Sequence, residues 1–387
     1  MTLDLIINTF LSRFQQQPTL VVRSPGRINI IGEHTDYNDG FVFPAAIDKE
    51  IMFAAKANGT QTLRFFSVDF DEDFEVKLRS LEKSEVQWAN YLLGVAFQYK
   101  KAGYQIQGLD VVFGGDIPVG AGLASSAAVE VGFAKVLDRL FDFNIDAVEM
   151  VKMAQKAEHE FAGVKCGIMD QFVIVHGKAG HAMKLDCRYL DYEYAPVDLE
   201  EHQIVLIDTK VKHALASSEY NTRRKECEKA VEKLKLHDPS IKALRDVTPE
   251  FLKKYGFELE DTVYRRAKFV VEENQRVQKA FEALNNKDLE TLGNLMYETH
   301  IGLRDDYQVS CEELDILFDI AFESETVIGA RMMGGGFGGC TINIVKDEGV
   351  ENFIKKASAE FEKSTGQKPE FYKVKIAGGV SVLMDDK

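Results

Sequence analysis

The segment Asp116 to Ala128, reading DIPVGAGLASSAA, restricts the possible folds of this chain more than any other stretch. The strand-like run Leu109 to Phe113 leads into it, and an Ala- and Val-rich helical pattern, Ser125 to Phe141, follows. Gly120 and Gly122 allow positive φ and a close approach of backbone to a ligand. Ser125 and Ser126 fall where the helix begins, and free N–H groups and the positive end of the helix dipole attract anions there. A hydroxyl at that position can bond a phosphate or ligate Mg²⁺. The stretch is not a Walker loop, because no GxxxxGK followed by Ser or Thr occurs. It is not a dinucleotide fingerprint, because the third glycine is replaced by Ser125 and Pro118 interrupts the strand that should enter the turn. Two readings remain: a kinase loop of the form PxGxGLxSSA, or a plain strand-to-helix turn with a Ser cap.

Composition narrows the setting. The 387 residues exceed what one core usually carries, so two domains are expected, and 45% hydrophobic content is enough to build their cores. A net charge of −15 argues against nucleic-acid and membrane-surface partners, both polyanions. An anionic small substrate remains possible where a local basic group outweighs the global sign. The cysteines, Cys166, Cys187, Cys227, Cys311 and Cys340, form no CxxC pair, which predicts free thiols in a reducing, cytoplasmic setting. Met1 to Phe10 has no basic leader and Asp4 interrupts its apolar run, so a secretory signal is not expected. No window is long and apolar enough for a spanning helix.

Periodicity predicts a helix over 3–17 and a strand over 20–23. A loop is expected at Ser24-Pro25-Gly26-Arg27, and a polar turn, GEHTDYNDG, after Ile31. Short strands are expected near 41–47, 51–57, 62–68 and 73–78, and helices over 87–101 and 146–161. A break over 163–167 precedes a further apolar run, 168–175. Composition shifts near residue 200: a strand at 204–207 is followed by helical patterns near 217–235, 262–284, 288–299 and 311–323. Strands at 341–345 and 371–376 flank a helix over 349–363. The expected division is 1–200 and 201–387, with α+β character in the second half.

Three further segments could carry chemistry. SPGRINIIGEHTDY at 24–37 crowds Glu33, His34 and Asp36 beside Arg27. Carboxylates and an imidazole in a loop suit a polyhydroxylated ligand, because charge-assisted bonds to hydroxyls are strong. A metal site is the competing reading, weakened by the lack of further spaced ligands, and a solvated turn is the plain one. Asp170 stands in an apolar stretch, so its carboxylate needs a partner, and an arginine such as Arg27 would keep it ionised. Such an Asp could accept a hydroxyl proton, or could be a structural salt bridge or cap. The run Gly334 to Gly339 fits GxGxxG literally but sits between a helix and a strand in the wrong order; it is either a flexible turn or a backbone nest.

SPGRINIIGEHTDY, PVGAGLASSAA and ARMMGGGFGGC stand in the order found in the GHMP sugar and metabolite kinases. The first segment, with CGIMDQ at 166–171 and NTRR at 221–224, resembles the galactokinase family more narrowly, and the similarity runs from about residue 20 to 380. The resemblance implies an α+β, two-domain fold: an N-terminal ribosomal-protein-S5-like domain binding sugar and nucleotide, a C-terminal ferredoxin-like domain, and a site in the cleft between them. It implies transfer of the γ-phosphoryl group of ATP to the C1 hydroxyl of α-D-galactose, with Mg²⁺, by a monomeric cytoplasmic enzyme with no nucleic-acid or membrane partner. By the same resemblance Asp170 is the catalytic base and Arg27 fixes it. Glu33, His34, Asp36, Gly167 and Tyr220 hold the sugar, Asp36 through its C3 and C4 hydroxyls. Gly120, Ala121, Gly122, Leu123, Ala124, Ser125 and Ser126 cradle the nucleotide, with Ser67 a further contact. Ser126 and Glu158 hold the metal. An Asp paired to Arg should be a weak base, so Asp170 could act chiefly by orientation. The chain departs from the family at Ala124, where a Ser is usual. The alternatives are a 1-kinase for N-acetylgalactosamine or arabinose, and a non-catalytic galactose sensor.

Overall fold

The computed structural model describes residues 1–212 and 216–386. Among them the strands are β1 (Leu20–Asn29), β2 (Phe41–Val42), β3 (Pro44–Ala57), β4 (Thr62–Ser67), β5 (Glu72–Lys77), β6 (Leu109–Gly115), β7 (His181–Asp186), β8 (Tyr192–Pro196), β9 (His202–Lys212), β10 (Val327–Met332), β11 (Gly338–Lys346), β12 (Glu370–Val374) and β13 (Ser381–Asp385). The α-helices are α1 (Leu3–Phe14), α2 (Gln87–Lys101), α3 (Ser125–Leu140), α4 (Ala147–Ala157), α5 (Met169–His176), α6 (Ala216–Leu234), α7 (Pro249–Tyr255), α8 (Asp261–Asn285), α9 (Leu289–Gly302), α10 (Glu312–Phe322) and α11 (Val350–Thr365).

Six strands form the first sheet in the order β13-β1-β3-β6-β4-β5, antiparallel except for the β4–β6 pair. Its apolar alternation serves two layers. Ile6 and Phe10 of α1 bury against Val21, Met52, Ala54 and Val112 on one face. Leu20, Val22, Phe53 and Val111 face α2 and α3 on the other, beside Leu92, Ala127 and Val131. Gly132 brings α3 onto the sheet: a Cβ there would run into the Phe53 ring. The second sheet, β10-β11-β9-β12, is antiparallel. Its Val205, Ile207, Ala330 and Val345 pack under Leu317, Phe318, Phe353 and Phe361 of α10 and α11. A third sheet, β2-β7-β8, completes the first half.

The α+β architecture expected from the sequence is the one observed; β7, β8 and β10 were not expected, and three further differences bear on the site. The loop expected at Pro25-Gly26 is strand: β1 runs through it, and the register against β3 shifts between Pro25 and Arg27, where Ile47, Asp48 and Lys49 of β3 bulge opposite the single residue Gly26. The strands expected at 41–47 and 51–57 give way to the two-residue β2 and one long strand, β3, through Asp48, Lys49 and Glu50. The last strand, in the stretch assigned to the second half, pairs with β1, Leu20 opposite Asp385. Five structures then converge on one cleft. They are the turn after β1, the loop between β6 and α3, the segment from α4 to α5, the first turns of α6, and the glycine run between β10 and β11.

Candidate active site

At its centre Arg27 and Asp170 form a two-pronged pair. Nε donates to Oδ1 and Nη2 to Oδ2, each at 2.7 Å. The third nitrogen, Nη1, donates to the Gly122 carbonyl of the glycine loop. The guanidinium side chain is 5% exposed and the carboxylate 25%. Burial opposes the Arg27 cation, but Asp170 outweighs it and leaves the arginine pKa above its ordinary value. β1 delivers Arg27 just past the register shift against β3, and α5 delivers Asp170 in its first turn.

Asp36, His34, Glu33, Gly167 and Tyr220 line the same cleft, which encloses about 660 Å³ of empty space including its mouth. Asp36 Oδ1 accepts from the Tyr37 N–H at 2.9 Å. Burial, then the charge of Asp170, pushes the Asp36 carboxyl up to about 7. Gly167 passes directly over it; a Cβ there would stand 2.5 Å from Oδ1 and closer still to Cγ and Oδ2. His34 is buried with φ 61°, and burial, then the nearby Arg223, lowers its pKa to about 3, so the ring is neutral. Tyr220 stacks obliquely on His34 with ring centres 5.4 Å apart.

Glu33 has a second task. Its Oε1 accepts from Arg331 Nη2 at 3.0 Å and from the Gly334 N–H at 2.9 Å. Arg331 is fully buried and also donates to the carbonyls of Asn29, Ile30 and Met332. Glu33 thus ties the first turn to the second glycine run through a buried cation. That run is not a loose turn. Gly334 and Gly339 lie against Gly122 and Ala121, so the two glycine loops face each other.

In the first loop Gly120, Gly122 and Ala124 all have positive φ, 82°, 77° and 60°. Ala124 is the N-cap of α3 and has no side chain with which to cap it. The first N–H groups of the helix at Ser125 and Ser126 are therefore not consumed by a capping side chain. Ala121 and Leu123 are buried and offer only backbone; the Leu123 carbonyl accepts from the Arg27 N–H at 3.2 Å. Beside the loop a second cavity is lined by Phe70, Trp88, Tyr91, Phe113 and Val119 together with Ser125 and Ser126. Ser67 is fully buried with its hydroxyl unpartnered and is not among the residues that line this cavity.

Ser126 bonds Glu158, the first residue of a π turn, Glu158–Ala162, that continues α4. Burial, then Asp170, raises the Glu158 carboxyl to about 7. Cys166 Sγ and Gln171 Nε2 both donate to its Oε2, at 3.3 and 2.8 Å, and Gln171 also reaches Glu130 at 3.0 Å. Glu130 is fully buried, and burial, then the charge of Glu158, pushes its pKa well above the ordinary carboxylate value. Among the described residues no group of three His, Cys, Asp or Glu side chains is arranged to hold a metal. Ser126 and Glu158 fit a hard cation only if phosphate and water complete its shell, which is how Mg²⁺ is commonly held.

Reasoning from sequence passed over Arg331, Glu130 and Gln171. Arg331 carried a usable signal, a cation inside an apolar strand pattern that needs a buried partner. Glu130 and Gln171 carried none beyond their polarity within apolar helices.

The galactokinase galactose-binding signature matches residues 8–57, the GHMP kinase N-terminal domain residues 90–178, and the GHMP kinase C-terminal domain residues 280–363. The galactokinase of Clostridium acetobutylicum is 44% identical over 387 residues, covering 98% of this chain and 99% of its own. The chain belongs to the galactokinase family. The Bacillus subtilis galactokinase is 44% identical over 366 residues, 93% of each chain. The crystal structure of Lactococcus lactis galactokinase complexed with galactose superimposes with a TM-score of 0.94 at 36% identity, covering 98% of this chain and all of the other. Mevalonate kinase of Methanococcus jannaschii, at 18% identity and a TM-score of 0.66, shares the fold. Among the described residues of this galactokinase-family chain, no helix is long and apolar enough to cross a membrane.

Proposed function

We propose that the protein is an ATP-dependent galactose kinase, passing the γ-phosphoryl group to the C1 hydroxyl of α-D-galactose to give α-D-galactose 1-phosphate and ADP. The observation that carries this reading is the placement of Asp170. Arg27 grips it from one side and bonds the glycine loop with its remaining nitrogen, while Asp36, His34 and Glu33 line the same cleft. Phosphoryl transfer needs positioning and electrostatics more than covalent help. Asp170 orients the C1 hydroxyl and accepts its proton as the oxygen–phosphorus bond forms. Arg27 keeps that carboxylate aimed and offsets charge on the reacting oxygens.

Asp36, with Gly167 packed over it, accepts bonds from the sugar hydroxyls; His34, Glu33 and Tyr220 complete the sugar site. Gly120 to Ser126 cradle the phosphates, and the apolar cavity of Trp88 and Phe113 takes the base, with Ser67 as buried support. Ser126 and Glu158 would hold Mg²⁺, which supplies charge neutralisation on the phosphates. Residues 1–200 carry most of this machinery, and Tyr220 and the second glycine run come from the remainder.

A coupled ADP-release assay with Mg·ATP tests the reading against galactose, glucose, N-acetylgalactosamine and arabinose. Galactose-dependent turnover should fall by several orders of magnitude in Asp170→Asn while both substrates still bind. Preference for another sugar would make the protein a different 1-kinase. Binding of galactose without any turnover would make it a sensor.

A further inference from the structure

The turn that carries Glu33, His34 and Asp36 into the cleft runs from Gly32 to Phe41, and both its ends are held by one helix of the second half of the chain. At its entry the Gly32 N–H donates to Glu273 Oε1 at 2.8 Å. At its exit the Phe41 N–H donates to Asn274 Oδ1 at 2.9 Å. Glu273 and Asn274 are neighbours on α8. Val277, on the same face, packs against Gly32, where a Cβ would stand 2.8 Å from its Cγ2. Among the described residues, none of α8 lines the cleft.

The direction of each bond is fixed by atoms that have only one role. Both turn groups are backbone N–H, which donate. Glu273 is fully buried, and its Oε2 takes Arg276 Nε at 2.7 Å and the Thr299 hydroxyl at 2.9 Å, which leaves Oε1 to Gly32. The Asn274 amide cannot be turned round. Its Nδ2 donates to the Val270 carbonyl at 2.9 Å, and a reversed amide would set oxygen against oxygen there and N–H against N–H at Phe41. Gly40 lets the chain pass this close, since a Cβ there would collide with Asn274 Oδ1. The turn has one internal tie across its base: Thr35 Oγ1 lies 3.0 Å from the Gly32 carbonyl and 2.6 Å from that of Phe41. Asp39 is held separately, by Arg188 and Arg245 at 3.1 Å each.

We propose that Glu273 and Asn274 are positioning residues that set the span of the sugar turn from outside the cleft. The proposal rests on the reading of this cleft as the galactose site. Loss of one grip leaves every sugar-facing side chain in place chemically. It lowers the fraction of molecules in which Glu33, His34 and Asp36 stand together, and the apparent affinity for the sugar falls with that fraction. The loop at 120–126 bonds Arg27 and faces the second glycine run, not α8, so nucleotide binding is left alone.

The test reads the turn and the sugar separately. Amide hydrogen exchange without substrates compares wild type, Asn274→Ala and Gln275→Ala, the last an exposed neighbour on the same helix. Asn274→Ala should speed exchange at Phe41 and through residues 32–41, with β1 and β3 protected as before and Gln275→Ala like wild type. The calorimetric Kd and the KM for galactose should each rise about 3- to 10-fold in Asn274→Ala, the worth of one neutral hydrogen bond. KM for ATP, and kcat at saturating sugar, should hold. Glu273→Gln keeps an oxygen for the Gly32 N–H and should stay near wild type in sugar affinity, although its weaker partnership with Arg276 lowers the urea midpoint. Unchanged exchange over 32–41, equal rises in both KM values, or a sugar affinity that follows the urea midpoint across the variants would overturn the proposal. A wild type that phosphorylates another sugar in place of galactose would sink the functional reading; the affinity comparison is then made with that sugar, and the exchange data need none.

Discussion

Gly167→Ala isolates one atom. A Cβ at 167 would have all three carboxyl atoms of Asp36 inside 3.0 Å, Oδ1 at 2.5 Å and the others nearer. The carboxyl is the only part free to give way, and it must swing by more than 0.5 Å, the difference between 3.0 and 2.5 Å. That swing breaks the bond from the Tyr37 N–H, now 2.9 Å, and moves a carboxyl that lines the cleft proposed for the sugar. Hydrogen bonds to charged groups are worth about 1.5–3 kcal/mol, so KM for galactose should rise about 10- to 150-fold. Stability should fall by no more than about 0.5–2.5 kcal/mol, the lost Tyr37 bond being partly offset. Gly167 is not among the glycines with positive φ, so Ala fits the backbone, and removing a glycine from the unfolded chain contributes about 0.4–1 kcal/mol toward the folded state. The assay is steady-state kinetics in both substrates with a urea unfolding curve beside it. In an Asp36→Ala background the new methyl meets no carboxyl and should add no penalty. A wild-type galactose KM in the single variant would refute the argument; an equal rise in both KM values would point to a damaged fold instead.

Two further perturbations follow from the site. Because the Asp36 carboxyl is raised to about 7, it holds its proton below that pH and loses the charge-assisted bonds a carboxylate makes to hydroxyls, so kcat/KM for galactose should fall as pH drops from 8 to 6. The stability sign is opposite: the native state keeps that proton to higher pH than the unfolded chain, so the cost of ionising Asp36 grows between about pH 4 and 7. Asp36→Asn should therefore gain stability over wild type at pH 8, with the gap closing toward pH 4 in urea unfolding. Glu158, raised in the same way, is common to both proteins and cancels in the difference. Separately, Ala124→Gly should stabilise the fold by about 0.5–1 kcal/mol. It relieves a left-handed residue at φ 60°, worth about 1–2 kcal/mol, against the greater freedom of glycine when unfolded. A lower urea midpoint would show that Ala124 carries no strain.

The sequence made the ingredients of the site legible because they are local. Arg27, the acids of the turn after β1, the loop at 116–128 and Asp170 each sit in a segment whose residue types have few structural uses, and the Arg27–Asp170 partnership follows from the need to pair a buried carboxylate. What stayed hidden is non-local. Glu33 reads as a sugar contact from its neighbours, yet half its bonding goes to Arg331, almost three hundred residues away. Tyr37 looks like one more polar residue of a turn until Tyr307 is placed against it. Among the strands, β10 was missed because Gly329 and Arg331 break its apolar pattern, and Arg331 is buried there only because the carbonyls of Asn29 and Ile30 meet it. Pro25 and Gly26 signal a loop in any window, and only the register against β3 shows that a bulge holds them in the sheet. Most helices, from 87–101 to 312–322, were visible because their apolar stripes repeat over several turns.

The pairing of β1 with β13 sets a clock on biosynthesis. Leu20 finds Asp385 at a separation of 365 positions, and ribosomes add about 5–20 residues per second, so β1 is made about 20–70 s before its neighbour. For that interval one side of β1 presents unpaired backbone next to the register shift at Arg27, and it can be satisfied only by water or by another chain. The nascent protein thus carries an open strand edge at the margin of its own active site, where a holdase chaperone has something to protect and a second nascent copy has something to capture.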